Sequence, residues 1–242
     1  MFKEFLLLLV LGHTIGDFYL QTSNMAKKKN NCWFYFIFHC ILYAISTYLC
    51  LLPVKGIQIW AVLLVVSGSH MFIDLIKRFL HNTKIDETIL FLVDQGLHLS
   101  VVLGVYIYVI KNGFDVQFRA GFVDFFELFN LNYKTAIGIS LLLLLNAKPC
   151  NVMIKSIMKK RDSEPEKDTT HKGIGAIIGT LERWTIILFF MIEQYSSIGL
   201  VLTAKSIARY NKISTETNFA EYYLLGTLTS TIFAVFSTII IT

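Results

Sequence analysis

Histidine and aspartate recur four residues apart at three places in this chain. They are His13 with Asp17, His70 with Asp74 and, in reversed order, Asp94 with His98. On a helix a spacing of four puts both members of a pair on one face. His39 adds a fourth imidazole. Four imidazoles and three carboxylates form a donor set for one or two divalent metals, and Zn, Mn, Fe and Co all accept mixed nitrogen and oxygen ligands. The expected metal ligands are His13, His39, His70, Asp74, Asp94 and His98. Asp17, Asp74 and Asp94 are the expected catalytic carboxylates, able to complete the coordination, orient an imidazole or take a proton. The competing reading is a His and Asp network that only ties helices together.

The elements that must position these residues follow from composition. Of 242 residues 55% are hydrophobic and 16% charged, against about 25% charged in a soluble domain. The mean hydropathy is +0.58. A soluble globule could not cover itself with so few polar residues, and disorder is excluded as well. The net charge of +5 arises from 22 Lys and Arg that fall mostly in short clusters between apolar runs, a pattern that orients membrane helices and gives no nucleic-acid surface. Cys32, Cys40, Cys50 and Cys150 show no CxxC spacing and read as buried small hydrophobes.

Apolar runs of about 20 residues predict eight spanning helices, at approximately 4–22, 33–53, 57–79, 88–110, 133–154, 173–194, 197–211 and 219–241, the seventh being short. Lys3 and the run Phe5 to Leu11 have the look of a signal peptide. His13, Asp17 and Gln21 follow without a small-residue cleavage site, so a retained helix is expected. From Arg119 to Asn132, Phe122, Phe125, Phe126 and Phe129 recur beside Asp124 and Glu127 as in a helix lying in the interface. The expected fold is all-α, a polytopic bundle of about eight spans with one interfacial helix. Residues 1–112 form a four-helix bundle holding the His/Asp cluster, 113–132 the interfacial helix, and 133–242 a second bundle with a charged segment near 155–172.

Basic residues accumulate in the odd connectors. Lys27, Lys28 and Lys29 lie in the first, Lys77, Arg78 and Lys84 in the third, and Lys148, Lys155, Lys159, Lys160, Arg161, Lys167 and Lys172 in or beside the fifth. The second has only Lys55, and the fourth only Lys111, Arg119 and Lys134. This places both termini outside and the odd connectors in the cytoplasm. Asp162, Glu164, Glu166 and Asp168 make the 155–172 segment a solvated linker. Helices 1 and 3 then run inward and helix 4 outward, so every pair sets its aspartate nearer the cytoplasm. His39 lies at a comparable depth, and all seven side chains can meet in one cavity of the cytoplasmic leaflet. Convergence at one depth favours the metal reading over helix glue. His81 and His171 fall in connectors and are left out.

Gln21 and Gln95 flank the cluster and are candidates for substrate binding. Lys77 and Arg78 read first as membrane anchors and second as partners for an anionic substrate. In the second bundle Glu182 and Glu221 are expected to form structural ion pairs with Arg183, Lys205 and Arg209. The alternative is an anion pocket in which those three bases bind substrate. Gly173, Gly175 and Gly179 favour close packing of their helix.

The segments LGHTIGDFYLQ (11–21), SHMFIDLIK (69–77), FLVDQGLH (91–98), GTLERW (179–184), LTAKSIARY (202–210) and EYYLLGTLTS (221–230) resemble an uncharacterised bacterial membrane family, domain of unknown function 3307. The membrane His and Asp pattern is also similar in style to the inner-membrane metal-dependent hydrolases of the YdjM group. The family resemblance implies a multi-pass protein of the bacterial inner membrane and brings no activity with it.

Two functions compete. In the first, a Zn or Mn site in the cytoplasmic leaflet hydrolyses a membrane-associated ester or phosphoester, with membrane lipids as surroundings and a lipid-derived or phosphorylated molecule as substrate. In the second, the same donors carry divalent cations across the membrane, as in cation-diffusion facilitators. The outer halves of helices 1–4, such as Phe5 to Leu11 and Leu99 to Ile110, are almost uninterruptedly apolar. A transport path needs polar groups on both sides of its site, so hydrolysis is favoured. Oligomeric state leaves no mark in the sequence.

Overall fold

A computed structural model describes residues 2–56, 58–80, 83, 85–158 and 173–242. Most of the charged linker, at 159–172, lies outside the described residues, as do His81, Lys84 and His171. The chain is almost wholly helical and divides into two compact units, Met1–Leu141 and Leu142–Thr242.

The first unit begins with α1 (Phe2–Thr14), which runs directly into a π-helical turn at Ile15–Tyr19. The short α2 (Ser23–Lys28) starts at Thr22, whose hydroxyl accepts from the Met25 N–H, an ordinary N-cap. It is followed by α3 (Trp33–Leu51), α4 (Ile59–Leu80) and α5 (Glu87–Lys111). The carboxylate of Asp86 caps α5 by accepting from the N–H groups of Thr88 and Ile89. Helices α1, α3, α4 and α5 close a ring in which each packs on the next and α5 returns to α1. Phe5, Leu9, Phe36, Val66 and Val102 fill its interior.

Two two-residue strands, β1 (Val54–Lys55) and β2 (Gln117–Phe118), pair antiparallel across the connectors after α3 and α5. The all-α expectation contained no such pair. Next comes α6 (Ala120–Glu127), within the segment expected to lie at the interface. Helix α7 (Tyr133–Leu145) continues through a short break into α8 (Lys148–Met158).

In the second unit α9 (Ile174–Met191) packs against α8, α10 (Tyr195–Ala208) and α12 (Thr217–Ile241), and α11 (Tyr210–Thr215) leads into α12. Ile186, Ile187 and Ala234 are buried between them.

Six helices are long and apolar enough to cross a membrane: Trp33–Leu51, Ile59–Leu80, Glu87–Lys111, Tyr133–Met158, Ile174–Met191 and Thr217–Ile241. The protein is a multi-pass membrane protein with that many candidate spans. The first and seventh of the eight predicted runs do not qualify, because α1 is 13 residues and α10 is 14. At about 1.5 Å per residue α10 covers roughly 20 Å of a 30 Å hydrocarbon core, and the first run is helical over Phe2–Tyr19 only with the π turn included. The outer surfaces of the long helices are apolar, as in Leu64, Phe72, Phe79 and Ile232, each more than 60% exposed. Lipid tails are the natural cover for such a surface. Of the four cysteines only Cys150 is buried, and Cys32 is exposed.

Close approach of α1 to α3 depends on two glycines. A Cβ at Gly12 would lie 2.9 Å from the Thr47 Cα, and one at Gly16 would lie 2.6 Å from the Ser46 Oγ. Ser46 Oγ donates to the Gly12 carbonyl at 2.8 Å, fixing the contact. Gly12→Ala should therefore cost about 1–3 kcal/mol by overpacking. Gly68→Ala, where a Cβ meets nothing within 4 Å, should be neutral or stabilising. Thermal unfolding of the purified variants in detergent checks the pair, and equal melting temperatures would contradict the helix contact.

Candidate metal centre

The ring of helices aims its polar side chains at one interior level. His13 comes from α1, Asp17 from the π turn, His39 and Tyr43 from successive turns of α3, His70 and Asp74 from α4, and Asp94 and His98 from α5. None of the seven His and Asp residues is more than 8% exposed. The sequence-predicted cluster therefore meets in space.

It is organised as two adjoining groups. Asp17, His39 and His70 offer one ligand atom each within 4.8 Å of one another, and so do Asp74, Asp94 and His98. His39 Nε2 joins the groups, lying 3.3 Å from Asp17 Oδ1 and 3.2 Å from Asp74 Oδ2. The rings of His70 and His98 stack with centroids 4.3 Å apart. Tyr43 stacks on His70 at 3.6 Å, so that imidazole is held in place within its layer.

His13 stands outside both groups. Its Nδ1 is 3.4 Å from the Tyr43 hydroxyl and its Nε2 is 3.3 Å from Gln95 Oε1. Gln95 Nε2 donates to Asp17 Oδ2 at 2.7 Å and to Asp94 Oδ2 at 3.2 Å. Its amide thus bridges the two groups and is used up inside the cluster. Gln21 Nε2 lies 3.2 Å from His39 Nε2.

Two lysines complete the charge balance. Lys29 Nζ pairs with Asp74 Oδ2 at 2.7 Å, and Lys77 Nζ with Asp94 Oδ2 at 2.6 Å. Lys29, in the connector after α2, is only 6% exposed. Burial works against its charge, but the Asp74 and Asp17 carboxylates outweigh it and hold the ammonium above the ordinary lysine pKa. Arg78 takes no part in an anion site. Its guanidinium lies 4.1 Å from the centroid of the Trp33 ring and donates to the Lys29 carbonyl at 3.3 Å, clamping the connector that delivers Lys29.

The donor set fits a divalent ion. Both ring nitrogens of His70, His98 Nε2, Asp74 Oδ1 and Asp94 Oδ1 are buried and make no hydrogen bond among the described residues, although His98 Nε2 faces Asp94 Oδ1 at 3.4 Å and His70 Nε2 faces Asp17 Oδ1 at 3.7 Å. A buried polar atom without a partner costs about 1–3 kcal/mol. Three carboxylates face two ammonium groups, which leaves room for further positive charge. A metal ion would satisfy both conditions together.

The polar residues of the second unit serve a different end. Arg183 is 1% exposed. It donates to the Asn146 carbonyl at 2.6 Å, Asn151 Oδ1 at 2.6 Å, Ser230 Oγ at 3.1 Å and Thr180 Oγ1 at 3.3 Å. Its guanidinium is consumed in tying α8, α9 and α12 together. Lys205 pairs with Glu182 at 2.6 Å. Arg209 and Glu221 are exposed and stand apart from that pair.

Residues 5–123 match the family described as Protein of unknown function (DUF3307). All seven His and Asp residues of the cluster lie within the match, together with Lys29, Tyr43, Lys77 and Gln95. The motifs at 179–184, 202–210 and 221–230 lie beyond it. No curated protein and no solved structure matches the chain.

Removing one partner of a buried ion pair costs about 3–5 kcal/mol, since the other charge is stranded. Lys29→Met should therefore lower the melting temperature of chelator-treated protein, and added Zn or Mn should restore more stability to the variant than to wild type. A melting curve unchanged by the substitution would contradict the Lys29–Asp74 pairing.

Proposed function

We propose that the first unit is a membrane-embedded metal-dependent hydrolase acting on a membrane-associated ester or phosphoester. The observation that carries the proposal is the pair of adjoining buried His/Asp groups, in which both ring nitrogens of His70, His98 Nε2 and one oxygen each of Asp74 and Asp94 make no hydrogen bond among the described residues. Asp17, His39 and His70 would hold one divalent ion, and Asp74, Asp94 and His98 a second, with Zn and Mn suited to these donors. A bound ion supplies Lewis acidity and lowers the pKa of an attacking water.

The chain's own residues do the rest. Asp74 and Asp94 would offer Oδ1 to that ion, while Lys29 and Lys77 hold their Oδ2 atoms in place. Gln95 fixes the carboxylates of Asp17 and Asp94 relative to each other, and His13 holds the Gln95 amide from behind. Tyr43 keeps the His70 ring in orientation. Gln21, beside His39, stands where a substrate oxygen could accept from its amide. On α4 and α5, away from the lysines, the bundle interior turns apolar at Val62, Val66, Val102 and Val109. That supports a site with one polar end over a path for cations.

The basic residues Lys27, Lys28, Lys29, Lys77 and Arg78 crowd the polar end, and by the positive-inside tendency this end faces the cytoplasm of a bacterial inner membrane. Substrate would then enter from the cytoplasmic leaflet.

Elemental mass spectrometry of protein purified in detergent, without a metal-binding tag, tests the site. Wild type should retain about one or two Zn or Mn per chain, and His70→Ala with Asp74→Ala should retain none. Hydrolysis of phosphoesters and lipids should follow metal content, with cation flux in reconstituted vesicles as the control. Wild type that holds no metal after reconstitution would return the cluster to a structural network, and metal-dependent flux without hydrolysis would make it a transport site.

A further inference from the structure

The two adjoining groups of the metal centre differ in donor chemistry. Asp17, His39 and His70 offer two imidazoles and one carboxylate, whereas Asp74, Asp94 and His98 offer one imidazole and two carboxylates. Imidazole nitrogen suits Zn, and carboxylate oxygen suits the harder Mn and Mg. At any one site of nitrogen and oxygen donors Zn binds more tightly than Mn, so discrimination has to come from a difference between sites.

The nitrogen-rich group already has the spacing of a compact shell. Asp17 Oδ1 lies 3.3 Å from His39 Nε2 and 3.7 Å from His70 Nε2. Ligands about 2.1 Å from a tetrahedral Zn stand about 3.4 Å from one another, so these atoms need little movement to close on one ion. Asp17 Oδ2 accepts from the Gln95 amide at 2.7 Å. An amide is neutral, and the carboxylate keeps its charge for the ion.

The oxygen-rich group is built for weaker attraction. Lys29 Nζ holds Asp74 Oδ2 at 2.7 Å, and Lys77 Nζ holds Asp94 Oδ2 at 2.6 Å. Each ammonium offsets the negative charge that would draw a cation in. Each also leaves one oxygen, Oδ1, without a hydrogen bond among the described residues. His98 Nε2, 3.4 Å from Asp94 Oδ1, is the one nitrogen that this group offers beside them. Donor type and balancing charge therefore point the same way.

We infer that the centre is a mixed one, in which Asp17, His39 and His70 take Zn as a tightly held ion and Asp74, Asp94 and His98 take Mn as an exchangeable one. The inference rests on the two-ion reading proposed above and names the ion that each group selects. Two equivalent sites would share a donor set and a charge balance, and these two groups share neither.

The test uses the full chain in detergent, freed of metal by a chelator. Zn is titrated against a competing chromophoric chelator, and bound Mn is counted from its electron paramagnetic resonance spectrum. Wild type should bind about one Zn tightly, and protein preloaded with that Zn should still take up about one Mn per chain. His39→Ala should lose the tight Zn step and keep Mn binding. Asp94→Asn should lose Mn binding and keep the tight Zn step. Asp17→Asn serves in place of His39→Ala should that variant fail to fold, and the preloading experiment on wild type needs no variant.

Mn binding abolished by the first equivalent of Zn, or weakened to the same degree as Zn binding in every variant, would overturn the assignment. Wild type that binds neither metal would overturn the two-ion reading with it. Selective loading in protein that hydrolyses no ester would support the mixed centre and overturn the hydrolase reading alone.

Discussion

Three carboxylates held away from water inside a helical bundle must each meet opposite charge or hydrogen-bond donors, since an isolated ion in such surroundings is too costly to keep. Most of the first unit's architecture answers that demand. Lys29 is carried in from a connector to reach Asp74, and Lys77 reaches Asp94 from the last turns of α4. Gln95 gives both amide hydrogens to carboxylates, and His39 stands between Asp17 and Asp74. The two ammonium groups balance two of the three carboxylates, His39 lies against Asp17 and Asp74, and several donor atoms make no hydrogen bond among the described residues. In the second unit the Arg183 guanidinium, by contrast, has four hydrogen-bonding partners.

The ring of α1, α3, α4 and α5 makes this level possible by bringing four helices within side-chain reach of one centre. Gly12 and Gly16 let α1 lie directly on the backbone of α3. Aromatic stacking then sets the layers, with Tyr43 on His70 and His70 on His98. The clamp of Arg78 on Trp33 and the Lys29 carbonyl holds the connector over the polar end. Rigid placement of ligands by packed neighbours is what a reactive metal site requires.

The cluster was legible because ionisable residues stand out against apolar helices and because their order reverses with helix direction. Helix direction alone sets His13, His39, His70, His98 and the three aspartates at one depth. Lys29 was hidden, since a lysine among Lys27 and Lys28 reads as an anchor and only tertiary folding shows that its chain turns inward. Tyr43 carried a usable signal, four residues after His39 on the same face of α3, but a tyrosine in an apolar helix resembles ordinary core. Six of the eight predicted runs are long, apolar helices; the first is divided between α1 and the π turn, and the seventh is the short α10. Arg183 looked available for substrate because sequence does not reveal that Asn146, Asn151 and Ser230 converge on it from other helices.

The π turn at Ile15–Tyr19 explains why His13 and Asp17 part company although they are spaced for one helical face. In a regular helix they would stack along a single stripe; the widened turn instead swings Asp17 towards His39 and His70, leaving His13 beside Gln95 and Tyr43. Such turns amount to one extra residue inserted into an α-helix. Because the wide turn absorbs that extra residue, deleting one residue here would restore α pitch with the flanking parts in nearly the same phase, and what would be lost is the wide turn that parts Asp17 from His13.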